Sequence, residues 1–201
     1  MRILVTGGAG YIGSHVVRRL ADYNHAIVIY DNLSTGHRVL AEGFDFVQGD
    51  VGDRAKLRWA LEGVDAVMHF AAYSNAEESV EEPAKYFENN LQSGLSLLGE
   101  VLKAKVRYFI HSSSCSVYGI PLHVPISEEA QRSPVNPYGV TKLSLENALE
   151  SYGLAYRLRY VNLRYFNAAG ADEDGKIGEL HQPETHLIPR GLHVAAGIAP
   201  Y

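Results

Sequence analysis

The stretch RILVTGGAGYIGSH, residues 2–15, limits what this chain can fold into more than any other segment. A short aliphatic run ends in glycines, and an amphipathic run begins at once. Ile12, Val16, Val17 and Leu20 recur at helical spacing, so a buried strand should turn directly into a helix from about Tyr11 to Asp22. Gly7, Gly10 and Gly13 stand three apart, and Gly8, Gly10 and Gly13 also spell G-x-G-x-x-G. The use of such a turn is close approach. Missing side chains let a pyrophosphate reach free amides at a helix N-terminus, where the dipole favours an anion. The last glycine lets the helix press on the sheet.

The same alternation continues. AIVIYDN, FDFVQGD, VDAVMHFAA, VRYFIHSSS and RLRYVNLRYFN read as five further strands. Between the third and fourth strands, DRAKLRWALEG reads as a helix capped by Asp53 and stopped at Gly63. One long helix is expected from near Pro83 to Ala104, and another from Tyr138 to Tyr152. The acids of AEESVEEP suit a solvated helix face. Strands alternating with helices imply a mostly parallel sheet covered on both faces, and right-handed crossovers make it doubly wound. The fold class is therefore α/β, a doubly wound parallel sheet of the Rossmann type over residues 1–167. After Asn167 the chain is polar, glycine-rich and aperiodic, and residues 168–201 read as a long loop and the start of one helix. They are expected to begin a second, substrate-binding region. The helix's apolar Leu187, Leu192, Val194 and Ile198 need something to pack on.

Asp31 closes the second strand, placed to accept hydrogen bonds from an adenosine ribose. A 2′-phosphate there would meet like charge, so NAD is expected over NADP. Asp50 closes the third strand, either at the adenine edge or as a helix cap. The remaining strand ends carry polar groups to the same edge: Ser112, Ser113, Ser114 and Ser116, then NPYGVTK at residues 136–142, then Asn167. Tyr138 and Lys142 lie one helical turn apart. A phenol has an ordinary pKa of about 10 and is a poor base at neutral pH. A neighbouring ammonium favours the phenolate, and a serine hydroxyl can bond the same substrate oxygen. That triple suits removal of an alcohol proton during redox chemistry on a nicotinamide.

Charge and composition exclude other classes. A net charge of −5 with mixed signs and no basic stripe argues against a nucleic-acid partner. A single cysteine, Cys115, forms no internal disulfide and suits a reducing cytoplasm. It is expected to be a small lining residue. No apolar run approaches a membrane span, and MRILVTGG shows no leader. His181 and His186 match no common zinc spacing, so no metal is expected. His69 and His111 are expected as satisfied polar packing at strand ends.

TGGAGYIGSH, DNLSTGHR, GDVGD, HFAA, SSSCSVYG, NPYGVTK, LRYFNAAGA and ETHLIP occur in the order found in extended short-chain dehydrogenase/reductases, and the chain resembles the sugar-nucleotide epimerases among them. The resemblance implies that Tyr138 is the catalytic base, Lys142 its partner and Ser114 the helper hydroxyl. It implies contacts to NAD from Gly7, Gly10, Tyr11, Ile12 and Gly13, from Asp31, Asn32, Leu33, Ser34, Thr35 and Gly36, and from Asp50 and Val51. Phe70, Ala71, Ala72, Ser74, Asn89 and Phe166 would line the cofactor beside Ser114, Tyr138 and Lys142. Ser114, Ser116, Tyr138, Asn167, His186 and Leu187 would meet a UDP-sugar. The implied reaction interconverts UDP-glucose and UDP-galactose through a 4-keto sugar. Relatives acting on UDP-N-acetylhexosamines or UDP-pentoses stay open, as does a catalytically silent NAD-binding module. A homodimer through the helix bearing Tyr138 is a further implication.

Two places distinguish the chain from particular relatives. Related dehydratases carry an Asp-Glu pair after the helper hydroxyl, where this chain has Cys115 and Ser116. Eliminating water needs that extra acid and base. Tyr73 and Ser74 stand where many relatives have a small residue and a lysine. The family also continues past the point where these residues stop.

Overall fold

The computed structural model describes residues 1–181, 184 and 186–198. Six strands form one fully parallel sheet: β1 (Arg2–Thr6), β2 (Ala26–Asp31), β3 (Asp45–Gln48), β4 (Ala66–His69), β5 (Tyr108–Ser112) and β6 (Arg159–Leu163). Their order across the sheet is β3-β2-β1-β4-β5-β6. The chain starts in the middle, winds to one edge, returns and winds to the other. The reversal lies between β1 and β4, and there the carboxyl ends of the strands part to leave a crevice.

Strand alternation sorts the apolar residues onto two faces. Leu4, Val28, Val67 and Phe109 share one face with Leu57 of α2 (Arg54–Ala60), Leu97 of α5 (Ser93–Lys103) and Leu145 of α6 (Pro137–Tyr156). Ile3, Val5, Ile27 and Ile29 share the other with Val17 of α1 (Tyr11–Asp22). Phe109 is fully buried. Removing a core ring of that kind costs about 3–5 kcal/mol.

Local chemistry sets the helix ends. Asp53 caps α2 by accepting from the Ala55 and Lys56 amides, and Gly63 beyond it takes φ +68°. Asn75 caps the short α3 (Ala76–Glu81) in the same way. Asn136 caps α6 through the Gly139 amide at 2.8 Å. Helix α6 ends later than expected, at Tyr156, with Arg157 in the left-handed region.

The long helix expected from Pro83 to Ala104 is interrupted. It consists of α4 (Pro83–Tyr86), a π-helical stretch (Phe87–Gln92) and α5. The wider turn is where Asn90 faces inward. Its side chain accepts from the Tyr73 amide at 2.9 Å and donates to the Tyr73 carbonyl at 2.9 Å. A π-bulge of this sort commonly marks a functional site.

Residues 168–181 form no regular element, and α7 follows at Leu187–Ala195. Gln182, Pro183 and Thr185 of the expected loop, and residues 199–201 of the expected last helix, lie outside the described residues. Helix α7 buries none of its side chains, and Leu192 is 63% exposed. Its apolar side finds no packing partner among the described residues. No helix among them is long and apolar enough to cross a membrane.

Candidate active site

All six strands deliver residues to the crevice. At β1, Gly7 takes φ +71°, and a Cβ there would lie 2.5 Å from the Ala71 amide nitrogen. A Cβ on Gly13 would stand 2.1 Å from the Gly7 carbonyl oxygen. The turn and the helix start are thus in backbone contact, a fit that only glycine allows. Helix α1 begins at an extended Gly10 with no acidic side chain in its first turn. The start of the helix lines the crevice.

At β2, Asp31 is nearly buried. One carboxylate oxygen accepts from the Ala9 amide at 3.0 Å, the other from the Leu33 amide at 2.8 Å. Burial pushes its pKa up against the pull of these two bonds. Asn32 orders the following turn by accepting from the Ser34 amide and donates to Asp50 at 2.9 Å. Asp50 also accepts from the Gly52 amide at 2.7 Å. It lies at the crevice end of β3, while Asp53 caps the helix.

The chemical end is built by β5, α6 and the residues after β6. Tyr138 and Lys142 stand one turn apart on α6. The Tyr138 hydroxyl faces Ser114, which pulls the phenol's pKa down, and burial outweighs that pull and raises it. Lys142 is buried, donates to the Ser112 carbonyl at 2.8 Å, and holds its ammonium 5.7 Å from the Tyr138 ring centroid. Burial lowers its pKa to about 8. Desolvation of the phenol dominates, and the downward pull comes from Ser114.

The crevice gathers nearly every residue singled out from the sequence. Its walls include Gly7, Gly10, Tyr11, Ile12 and Gly13; Asp31, Asn32, Ser34, Thr35 and Gly36; and Asp50 and Val51. They also include Phe70, Ala71, Ala72, Ser74, Asn89, Ser114, Ser116, Tyr138, Lys142, Phe166, Asn167 and His186, with Cys115 among them. Two candidates lie elsewhere. Leu33, at φ +63°, packs on the α1 face of the core and reaches the site only through its amide bond to Asp31. Leu187 opens α7 and is 86% exposed, outside the crevice wall.

Sequence reasoning missed several lining residues. Tyr165 reaches the Ser112 hydroxyl and accepts the Cys115 amide on its carbonyl at 3.1 Å. Its position one residue before Phe166 was the available signal. Tyr30, Gly49, Tyr73, Ala168, Glu179 and His181 also line the site. Glu179 and His181 come from the aperiodic segment, which is tied down over α1. The Tyr11 hydroxyl donates to the Gly170 carbonyl at 2.6 Å, and Arg18 meets Asp172 at 2.7 Å.

The same segment brings Glu179, His181, Glu184 and His186 together, with ligand atoms within 4.8 Å of one another. Spacing along the chain gave no sign of this cluster. The two imidazoles already share Glu179, at 3.0 Å and 2.6 Å. His69 bonds the Thr6 hydroxyl at 2.7 Å, as satisfied packing requires. His111 stacks on His69 with centroids 6.0 Å apart, but its ring nitrogens find no hydrogen-bond partner among the described residues, contrary to expectation.

Comparison with known proteins gives concordant results. The family described as "NAD dependent epimerase/dehydratase family" matches residues 3–196. UDP-glucose 4-epimerase of Rhizobium meliloti (strain 1021) is 48% identical over 197 residues, covering 97% of this chain and 60% of the relative. The crystal structure of UDP-glucose 4-epimerase from Brucella ovis in complex with NAD is 52% identical with a TM-score of 0.95, covering 98% of this chain and 61% of that one. The enzyme from Bifidobacterium longum, in complex with NAD+ and UDP, is 35% identical with a TM-score of 0.93, covering 100% of this chain and 64% of that one. The chain spans about 60% of the length of the curated relatives it matches.

Proposed function

This chain belongs to the NAD dependent epimerase/dehydratase family, and we propose that it supplies the NAD-binding and catalytic part of an epimerase interconverting UDP-glucose and UDP-galactose. The observation that carries the reading is the convergence on one sheet edge of a glycine turn without room for side chains and the Ser114–Tyr138–Lys142 group. Residues 1–167 form the nucleotide-binding domain on this reading, and residues 168–201 begin the substrate-binding region.

The residues present fit a dinucleotide. The Gly7–Gly13 turn offers amides and a helix N-terminus to a pyrophosphate. Asp31 uses one bond per carboxylate oxygen on the protein, which leaves lone pairs for ribose hydroxyls. No cation among the described residues pairs with it in an ion pair, so a 2′-phosphate would meet an unscreened carboxylate and NAD is favoured. NAD held there would supply a reversible hydride acceptor for C4 of the sugar.

The protein's part is proton transfer and placement. In its ionised form, which the nearby Lys142 charge favours, the Tyr138 oxygen would receive the proton of the C4 hydroxyl and give it back after the ketone has turned. Ser114 bonds both that phenol and the sugar oxygen, which keeps the transfer short. Lys142 brings a positive charge close to the phenol and holds the Ser112 carbonyl in place. Neither Cys115 nor Ser116 supplies the extra acid and base that elimination requires, so C4 redox is what the site supports.

A cytoplasmic setting and a dimer formed through α6 are part of the same proposal, supported by the lone cysteine and by the family resemblance. The test is conversion of UDP-galactose to UDP-glucose by this chain with added NAD, with Tyr138→Phe as control. Turnover that Tyr138→Phe abolishes supports the reading. NAD binding without turnover would make the chain a silent nucleotide-binding module, and turnover that survives in Tyr138→Phe would refute the role of the phenol.

A further inference from the structure

Helix α6 carries a third polar side chain in line with the first two. Tyr138, Lys142 and Glu146 recur at every fourth position and so lie along one stripe. Each meets a different member of one serine run. Tyr138 stands beside Ser114, Lys142 donates to the Ser112 carbonyl, and Glu146 accepts the Ser113 hydroxyl. Ser113 and Glu146 are both almost fully buried.

A carboxylate in such a place needs compensation. Arg164, just past β6, grips it with two nitrogens, at 2.9 Å and 2.7 Å, and Arg132 adds a contact at 3.4 Å. Arg164 also donates to the Tyr118 hydroxyl at 2.9 Å and to the Glu128 carbonyl at 3.1 Å. The carboxylate thus joins α6, the end of β5, the residue following β6 and the turn after the serines.

The apolar contacts of Leu145 and Leu149 hold α6 against the sheet but have no direction. A hydrogen bond between a buried carboxylate and a strand-end hydroxyl does have one. Ser113 lies between the two residues that hold Lys142 and Tyr138, so its position sets theirs.

We propose that Glu146, held by Arg164, is a positioning residue that fixes the end of β5 against α6 through Ser113 and thereby sets Ser114 against the Tyr138 hydroxyl. The inference rests on the reading of Tyr138 as the group that takes the sugar proton. Misplacing reacting groups by about 1 Å costs about a hundredfold in rate. Loss of the Ser113 bond should therefore lower kcat by about tenfold or more while KM, set by groups elsewhere in the crevice, stays nearly constant.

The test uses the chain labelled at the tyrosine ring carbon that bears the hydroxyl. Tyr138→Phe identifies the Tyr138 resonance, and Ser114→Ala gives its position once the serine hydroxyl is lost. Ser113→Ala and Glu146→Gln are then measured, with Ser113→Thr as the variant that keeps a hydroxyl. Ser113→Ala removes one buried oxygen and is the variant expected to stay folded if Glu146→Gln does not. Both Ser113→Ala and Glu146→Gln should move the Tyr138 resonance most of the way to its Ser114→Ala position. Ser113→Thr should bring it back, and the resonances of Tyr30 and Tyr23 should stay in place. A Tyr138 resonance unmoved in Ser113→Ala would overturn the proposal, as would a loss of kcat matched by an equal rise in KM. If the unaltered chain neither binds NAD nor converts the sugar, the proposed function fails, while the Tyr138 resonance still reads whether Glu146 positions it.

Discussion

Replacing Gly13 by alanine should damage cofactor binding far more than its single added carbon suggests. The new Cβ would lie 2.1 Å from the Gly7 carbonyl oxygen, 2.8 Å from the Gly8 Cα and 2.9 Å from the Gly7 carbonyl carbon. All three are backbone atoms, so no side chain can swing away. Relieving the shortest contact takes a shift of roughly 1 Å between the turn and the start of α1. Overpacking of this kind costs about 1–3 kcal/mol, which lowers Tm by about 2–12 °C in a chain of this size. The same shift misaligns the amides that would hold a pyrophosphate. Each hydrogen bond to a charged group is worth about 1.5–3 kcal/mol, so losing one should raise the Kd for NAD by about 10- to 100-fold. Gly99→Ala is the control. Gly99 sits inside α5, and a Cβ there meets nothing within 4 Å. That variant should gain about 0.5–1 kcal/mol from helix propensity and leave NAD binding unchanged. Titration calorimetry with NAD and thermal melts of both variants decide the matter. Gly13→Ala binding NAD within about twofold of the unaltered chain would refute the close-approach argument.

Three further outcomes follow from the buried charges. Lys142 has its pKa lowered to about 8 from 10.5 by burial, so between those values the unfolded chain holds a proton that the folded chain lacks. Without cofactor, stability relative to Lys142→Met should rise by about 3 kcal/mol from pH 7.5 to above 10, and parallel urea midpoints across that range would contradict this. His69 titrates at about 3 instead of 6.5 because it is buried, so folding should weaken as pH falls from 6.5 towards 3, by about 1.4 kcal/mol per pH unit. Melts of His69→Asn should show a flatter acid limb, and an identical limb would exclude His69 as its source. Glu146→Ala strands Arg164 and should cost about 3–5 kcal/mol in chemical denaturation, whereas a loss below about 1 kcal/mol would mean that water replaces the carboxylate.

Much of this architecture was legible because its signals are local. The glycine turn, the Tyr11–Asp22 helix and the Asp53 cap depend on neighbours in sequence, and the structure has them where spacing put them. The strand runs showed the sheet because β-branched residues buried on both faces leave a continuous apolar pattern. What was not legible depends on distant partners. The π-helical stretch at Phe87–Gln92 exists where Asn90 bonds the backbone of Tyr73, seventeen positions away. The family resemblance places Leu33 in the ribose-binding stretch from Asp31 to Gly36, but where its side chain goes depends on the core. A left-handed backbone turns it onto the core instead. The part of Glu146 was invisible because its partners come from β5 and from beyond β6. Its spacing from Tyr138 and Lys142 was in plain view, but the i, i+4, i+8 pattern has no chemical meaning until the serines are set opposite it.

A crystal structure of this chain soaked with NAD tests the central claim most directly. The account predicts the pyrophosphate over the Gly7–Gly13 turn, the adenosine ribose on Asp31, and the nicotinamide ring facing the Tyr138 hydroxyl across the end of β5. A dinucleotide bound elsewhere, or one whose nicotinamide lies away from Tyr138 and Ser114, would contradict it.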